Sequence, residues 1–72
     1  MNKYEFEEKL IDVQELIEEG RYQEAVNECE NLNLDLLTKP RVLNQIARAY
    51  EKCRRYEDAE ILLLQAREYA SK

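Results

Sequence analysis

The sequence contains no histidine and no tryptophan, and its 72 residues include one glycine and one proline. Without histidine, neither a His-based catalytic set nor the usual zinc ligand spacing can be assembled. A single glycine also excludes a glycine-rich loop that cradles phosphate groups. These absences predict that the chain is not an enzyme and that it holds no cofactor or metal.

Long apolar runs are absent as well. No segment approaches the roughly 18 apolar residues of a membrane span, and the first residues, MNKYEFEEK, are too acidic for a signal peptide. The two cysteines, Cys29 and Cys53, form no CxxC pair. We predict a cytoplasmic protein without membrane contact whose cysteines are structural thiols, and a disulfide or redox role is the alternative.

The net charge of −5 conceals two segments of opposite sign. Residues 1–19 contain seven acidic and two basic residues, whereas residues 39–55 contain six basic and one acidic residue. The acidic overall balance argues against nucleic acid as a partner. We expect the two segments to lie beside each other within one chain, or to face each other across a dimer.

What the sequence does contain is abundant Glu, Leu, Ala, Lys, Arg and Gln, which favour helices. The first helix is predicted from about Lys3 to Glu19, with Asn2 as its cap, Glu5 completing a capping box and Gly20 ending it. One apolar stripe follows helical spacing along it, formed by Phe6, Leu10, Val13 and Ile17.

Three further helices are predicted. The second begins near Tyr22, the third follows Thr38 or Lys39 with Pro40 in its first turn, and the fourth runs from Tyr56 to about Ala70. In segment 31–38, the Asn and Asp residues favour a helix end while the leucines continue helical spacing, so both possibilities stay open. The predicted inward-facing residues of these helices are Ala25, Val26, Cys29, Leu32, Leu43, Ile46, Ala47, Tyr50, Ala59, Leu63 and Ala66.

A five-residue sequence motif occurs twice, as RYQEA at 21–25 and as RYEDA at 55–59, and the two copies are 34 residues apart. That offset is the period of one class of helix-turn-helix repeat. Because the loops between neighbouring helices are short, each pair must form an antiparallel hairpin. The sequence therefore predicts one all-α domain over residues 1–72, with repeat 1 at about 6–39 and repeat 2 at about 40–72.

This pattern resembles the tetratricopeptide repeat (TPR) family. The first repeat fits at Gly20, Tyr22 and Ala25 but departs from the family motif at Lys9 and Val13. The resemblance implies a short α-solenoid that acts as an adaptor or scaffold and recognises peptides in a concave groove. The second repeat carries the clearest matches, at Leu43, Ala47, Tyr50, Tyr56, Ala59, Leu63 and Ala66.

The resemblance also implies which residues line the groove. In the first repeat, the positions that correspond to the family's two-carboxylate clamp hold Leu10 and Gln14, so that clamp is not predicted. Acidic peptides or carboxylate groups would suit the second repeat, since Arg forms bidentate hydrogen bonds with carboxylates. The alternative is a solvated face that balances the acidic first helix. The groove residues of the second repeat are Arg41, Asn44, Gln45, Arg48 and Lys52.

Apolar residues exceed what two hairpins are expected to bury. Repeat arrays generally need about three repeats and a polar capping helix. We therefore expect a second copy of the chain, a protein partner or further repeats of a longer solenoid to cover the surplus apolar residues. The alternative function follows from this expectation: the chain is an architectural homodimerisation domain, natural or designed, or an excised fragment of a longer TPR solenoid with no ligand of its own. The predicted self-association or partner residues are Leu10, Ile11, Ile61, Leu62 and Leu64.

Overall fold

A computed structural model of the chain describes residues 2–71, so the two ends of the predicted domain, positions 1 and 72, lie outside the described residues. The described chain is helical and contains no strand. The all-α class and the predicted helices are confirmed. The elements are α1 (Lys3–Glu18), α2 (Tyr22–Cys29), a short 3₁₀ helix (Leu34–Leu36), α3 (Pro40–Lys52) and α4 (Tyr56–Ala70).

The predicted cap of α1 is present. The Asn2 side chain accepts a hydrogen bond from the backbone N–H of Glu5 at 2.9 Å, and its amide donates to the Glu5 carboxylate at 3.4 Å. Past the other end of α1, Gly20 has a φ of 78°. Glycine adopts this left-handed conformation without a steric penalty. The Asn2 cap and the Gly20 conformation therefore account for the two ends of α1.

The two copies of the repeated motif, at 21–25 and 55–59, begin with the same backbone turn. The backbone N–H of Arg21 donates to the carbonyl of Leu16 at 2.8 Å, and that of Arg55 donates to the carbonyl of Tyr50 at 2.8 Å. Arg21 has φ −90° and ψ 64°, while Arg55 has φ −94° and ψ 65°. Two helical hairpins, α1–α2 and α3–α4, follow from these turns.

The two hairpins share one core. α3 packs most extensively against α4, and it also contacts α2 and α1. The small side chains of Ala25, Ala47 and Ala59 are fully buried between helices, where they allow the backbones to approach closely. No polar or charged side chain is buried anywhere in residues 2–71. The largest fully buried side chains are Leu43, Ile46, Val13, Val26 and Cys29.

The segment between α2 and α3, residues 30–39, is called the connector. Its structure shows whether residues 31–38 continue the second helix or follow its end. α2 ends at Cys29, and the Asn33 side chain accepts a hydrogen bond from the backbone N–H of Asp35 at 3.2 Å to start the 3₁₀ turn. The Gln65 amide donates to the carbonyls of Leu34 and Leu37 at 2.9 and 3.0 Å. These bonds attach the connector to α4. The N-cap of α3 is Lys39, and Pro40 occupies its first turn as predicted.

One part of the predicted α4 register is wrong. Leu63, which was expected in the core, is 40% exposed, and Leu62, which was expected on the surface, is 5% exposed. Leu62 lies three residues after Ala59 and four before Ala66, so these three residues share the face that packs against the rest of the chain. The assignment of Leu62 to an exposed interface is therefore corrected.

Two other side chains also differ from expectation. Leu10 belongs to the core cluster rather than to an exposed interface, because α1 packs against the other helices at this position. Tyr56, which is one of the residues that match the family motif in the second repeat, is exposed. Its counterpart 34 residues earlier, Tyr22, packs against the core. The second hairpin lies against α2, whereas within residues 2–71 no further element covers the equivalent side of α4.

Candidate protein-interaction surfaces

The predicted groove residues share one face of α3, and four of them are exposed. Gln45 is half-buried because the Gln14 amide of α1 donates a hydrogen bond to its side-chain oxygen at 3.0 Å. This bond joins the first helices of the two hairpins, so the face continues from α3 onto α1. The exposed members are Arg41, Asn44, Arg48 and Lys52, which we call the basic face.

The charges of the basic face are not neutralised within the described chain. Neither Arg41, Arg48 nor Lys52 forms an ion pair with any residue in 2–71. α1 and α3 are in contact, as the opposite charges predict, but the contact uses the Gln14–Gln45 hydrogen bond and no ion pair in the described part of the chain. The basic face is thus positive and open to solvent.

Other arginines behave differently. Arg55 pairs with Glu30 at the end of α2 at 2.6 Å and with Asp58 at 2.8 Å, and it lies over the Tyr50 ring with 5.4 Å to the centroid. The hydrogen bond that Arg55 donates to the Glu30 carboxylate is the main reason that the pKa of Arg55 is raised, followed by the hydrogen bond that it donates to Asp58. Arg55 therefore links the two hairpins. The sequence alone does not predict this link, because it depends on how the two hairpins pack against each other.

Three predicted interface residues are exposed apolar side chains. Ile61 and Leu64 lie on the outer side of α4, and Ile11 lies on α1. The structure does not bring them together with Leu10 and Leu62, which belong to the core cluster. The predicted interface therefore reduces to two separate sites, one on each of these helices.

Two concave regions also escaped the sequence-based prediction. A cleft of about 760 Å³ lies between the start of α1 and the connector, and Phe6, Leu36 and Lys39 are among its lining residues. A shallower depression of about 370 Å³ lies between the connector and α4. Both depend on the connector folding back against helices that are distant in sequence. The apolar residues at 34, 36 and 37 were the available signal.

The chemistry of the cysteines fits a structural role. Both thiols are free, with Cys29 buried and Cys53 half-buried. Burial raises the pKa of the Cys29 thiol to about 12, with a further contribution from Glu28 and Glu30. A thiol that stays protonated at neutral pH is a poor nucleophile. Among residues 2–71, no cluster of three or more His, Cys, Asp or Glu side chains is arranged to hold a metal ion.

Comparison of the chain with models of protein families, with curated proteins and with solved structures finds no match. None of the described helices has the length and apolar character needed to cross a membrane. Function is therefore inferred from the surfaces of the chain itself.

Proposed function

We propose that this chain is a noncatalytic protein-interaction module whose basic face binds acidic peptides or carboxylate groups. The supporting observation is that Arg41, Arg48 and Lys52 are exposed on one helix face without an ion pair to any described residue. Elsewhere in the chain, Arg21 and Arg55 each bind carboxylates of nearby residues. A helix face with unpaired cations leaves its hydrogen-bond donors free for a partner.

We further propose that the hairpins stack as a TPR-like pair. Two features support this arrangement: the equivalent turns at Arg21 and Arg55, and the Gln14–Gln45 hydrogen bond that sets α1 beside α3. In such a stack the first helices of both hairpins line one concave surface, which would include the basic face. Two free thiols fit the proposed cytoplasmic location.

The chemistry of the proposed site defines its ligand. Arg41 and Arg48 lie two helical turns apart, a separation of about 10 Å along the axis. A peptide with carboxylates spaced over three or four extended residues matches that separation. Because the contacts are exposed, each is worth at most about 1 kcal/mol, and the affinity should fall as salt rises.

Fluorescence anisotropy with a labelled acidic peptide that ends in a free carboxylate tests the proposal. We expect saturable binding that weakens between about 0.05 and 0.5 M salt. Arg41→Ala/Arg48→Ala should weaken it about tenfold, since two ionic contacts are removed. Arg67→Ala, an exposed arginine on α4, is the matched control and should leave binding unchanged. An unbound peptide, or an equal loss with Arg67→Ala, contradicts the proposal.

A second candidate function is architectural dimerisation, in which α1 of one chain lies on the basic face of another. It is favoured by the acidic residues of α1, because those from Glu5 to Glu18 also form no ion pair within residues 2–71. Mass measurement by light scattering at low and high salt tests it. A dimer that salt dissociates supports this candidate, and a monomer at low salt rejects it.

A further inference from the structure

The outer face of α4 carries a strip that no described residue covers. Glu57, Ile61, Leu64 and Glu68 follow one another at spacings of four, three and four residues, so they form one line along the helix. Ile61 is 61% exposed and Leu64 is 51% exposed. The opposite side of α4 packs into the core, so these two side chains contribute little to folding. We call these four residues the α4 strip.

A preformed depression lies beside the α4 strip. It has a volume of about 370 Å³ and is lined by Asp35, Ile61, Leu64, Gln65, Glu68 and Tyr69. Its shape is maintained by the two hydrogen bonds from Gln65 to the connector carbonyls. Because these bonds keep the connector against α4, the depression exists before any partner arrives. Its size suits one or two apolar side chains.

The charges around the strip are acidic. Glu57 and Glu68 lie at its two ends, Glu60 lies beside it, and Asp35 lies across the depression, while Arg67 is the single basic residue in α4. None of these four carboxylates forms an ion pair with a residue in 2–71. An exposed apolar centre with an unpaired acidic border is complementary to an apolar surface with a basic border.

We propose that the α4 strip binds an amphipathic helix of another protein, with apolar residues along one side and Lys or Arg on both flanks. The strip runs over twelve residues, from Glu57 to Glu68, and its two ends lie about 16 Å apart along the helix axis, which matches three turns of a partner helix. Apolar anchors at positions i, i+3 or i+4, and i+7 of the partner would contact Ile61, Leu64 and the depression. Basic flanking residues would pair with Glu57, Glu60 and Glu68. This binding does not depend on the basic face of α3.

Charge argues against two other occupants. If two copies met strip to strip around a two-fold axis, the acidic border would face an acidic border, and like charges across an interface are costly. The apolar mode of homodimerisation predicted from the sequence therefore carries an electrostatic penalty at Glu57, Glu60 and Glu68. An anionic membrane surface would meet the same repulsion.

The test uses a labelled three-turn peptide built from Leu and Lys, with the leucines on one helical face. Anisotropy is measured with the full chain. We expect saturable binding that weakens with salt, no binding of the peptide in which Glu replaces Lys, and at least about tenfold weaker binding when the leucine positions are scrambled. Equal binding of the scrambled peptide would reduce the effect to charge attraction alone and overturn the proposal.

Variants locate the binding on α4. Because Ile61 and Leu64 are exposed, Ile61→Ser/Leu64→Ser should keep the helical circular dichroism spectrum and weaken binding about tenfold. Glu60→Gln/Glu68→Gln should weaken it about threefold and reduce its salt dependence. The matched control is Ile11→Ser, which removes an exposed apolar residue from the acidic α1 and should have no effect. An equal loss with Ile11→Ser would overturn the proposal.

Two further measurements separate this proposal from its competitors. Arg41→Ala/Arg48→Ala should bind the basic peptide with the same affinity as the parent. The proposal for the α4 strip and the proposal for the basic face can therefore be rejected separately. Light scattering of the parent and of Ile61→Ser/Leu64→Ser should give the same mass. A parent dimer that the serine variant converts to a monomer would show that a second copy occupies the strip, and it would overturn the proposal.

Discussion

Gly20 and Arg54, which are 34 residues apart, both have a left-handed backbone, with φ of 78° and 63°. Each follows the first helix of its hairpin, and in both turns the next backbone N–H donates to a carbonyl five residues earlier at 2.8 Å. The turns are equivalent in geometry but differ in side chain. The second turn therefore imposes a conformation on arginine that only glycine adopts without cost.

This difference predicts opposite effects of substitution in the two turns. Arg54→Gly should raise the free energy of unfolding by about 1 kcal/mol, and Gly20→Ala should lower it by about 1 kcal/mol. No atom lies within 4 Å of a Cβ added at Gly20, so that loss is conformational. Urea unfolding followed by circular dichroism measures both. Arg54→Ala, which removes the charge but keeps the Cβ, should have the same free energy of unfolding as the parent. A higher free energy of unfolding for Arg54→Ala would show that the charge of Arg54, and not its backbone conformation, causes the effect.

The register of α4 gives a second prediction. Leu62→Ala should lower the free energy of unfolding by about 2–5 kcal/mol because it empties a core site. Leu63→Ala, in the adjacent and partly exposed position, should cost less than about 1 kcal/mol. Urea midpoints of the two variants provide the comparison. Equal losses would mean that both leucines contribute to the core.

The contacts of Arg55 predict unequal roles for two arginines at equivalent positions. Arg55 bonds to Glu30 of the other hairpin, whereas Arg21 bonds to its sequence neighbours Glu19 and Glu24. Arg55→Gln should therefore lower the melting temperature more than Arg21→Gln does. The difference should shrink when both are measured with Glu30→Gln in the background. If the two variants melt alike, the link between hairpins has no energetic effect.

Stability should fall in alkaline solution. Burial raises the pKa of Cys29 from its ordinary value near 9 to about 12, and burial also raises that of Tyr50 from near 10 to about 12. As pH rises above 9, the unfolded chain therefore releases protons that the folded chain keeps, so the free energy of unfolding decreases. Urea unfolding at pH 8, 9 and 10 measures the slope. Cys29→Ala should make the slope shallower, and an unchanged slope would contradict this explanation.

The helices were predictable because their ends are specified locally. Asn2 caps α1, Gly20 permits its left-handed end, and Pro40 fits the first turn of α3. Each of these effects operates within four residues of chain. The inward face of α3 was predictable for a similar reason, since its apolar residues follow one unambiguous helical spacing and all of Leu43, Ile46, Ala47 and Tyr50 are buried.

The face of α4 was not predictable in the same way. Ile61, Leu62, Leu63 and Leu64 are consecutive and apolar, so several helix orientations would each bury a leucine. Packing against α3 selects Leu62, because it aligns with Ala59 and Ala66. The burial of Leu10 likewise depends on how the other helices pack against α1. The basic face was named from the sequence, whereas the depression beside α4 was not, since it requires the connector.

The sequence by itself determined the helical class, the helix boundaries other than the end of α2, and the repeated turn, because capping, glycine and proline conformation and apolar spacing act between near neighbours in the chain. Only the tertiary structure decided which leucine enters the core, which arginine joins the hairpins and where the α4 strip meets the connector. Those outcomes depend on contacts between residues some 25 to 31 positions apart, such as Arg55 with Glu30 and Gln65 with Leu34. Contacts of that range are fixed by the mutual packing of whole helices, for which the local pattern allows more than one solution.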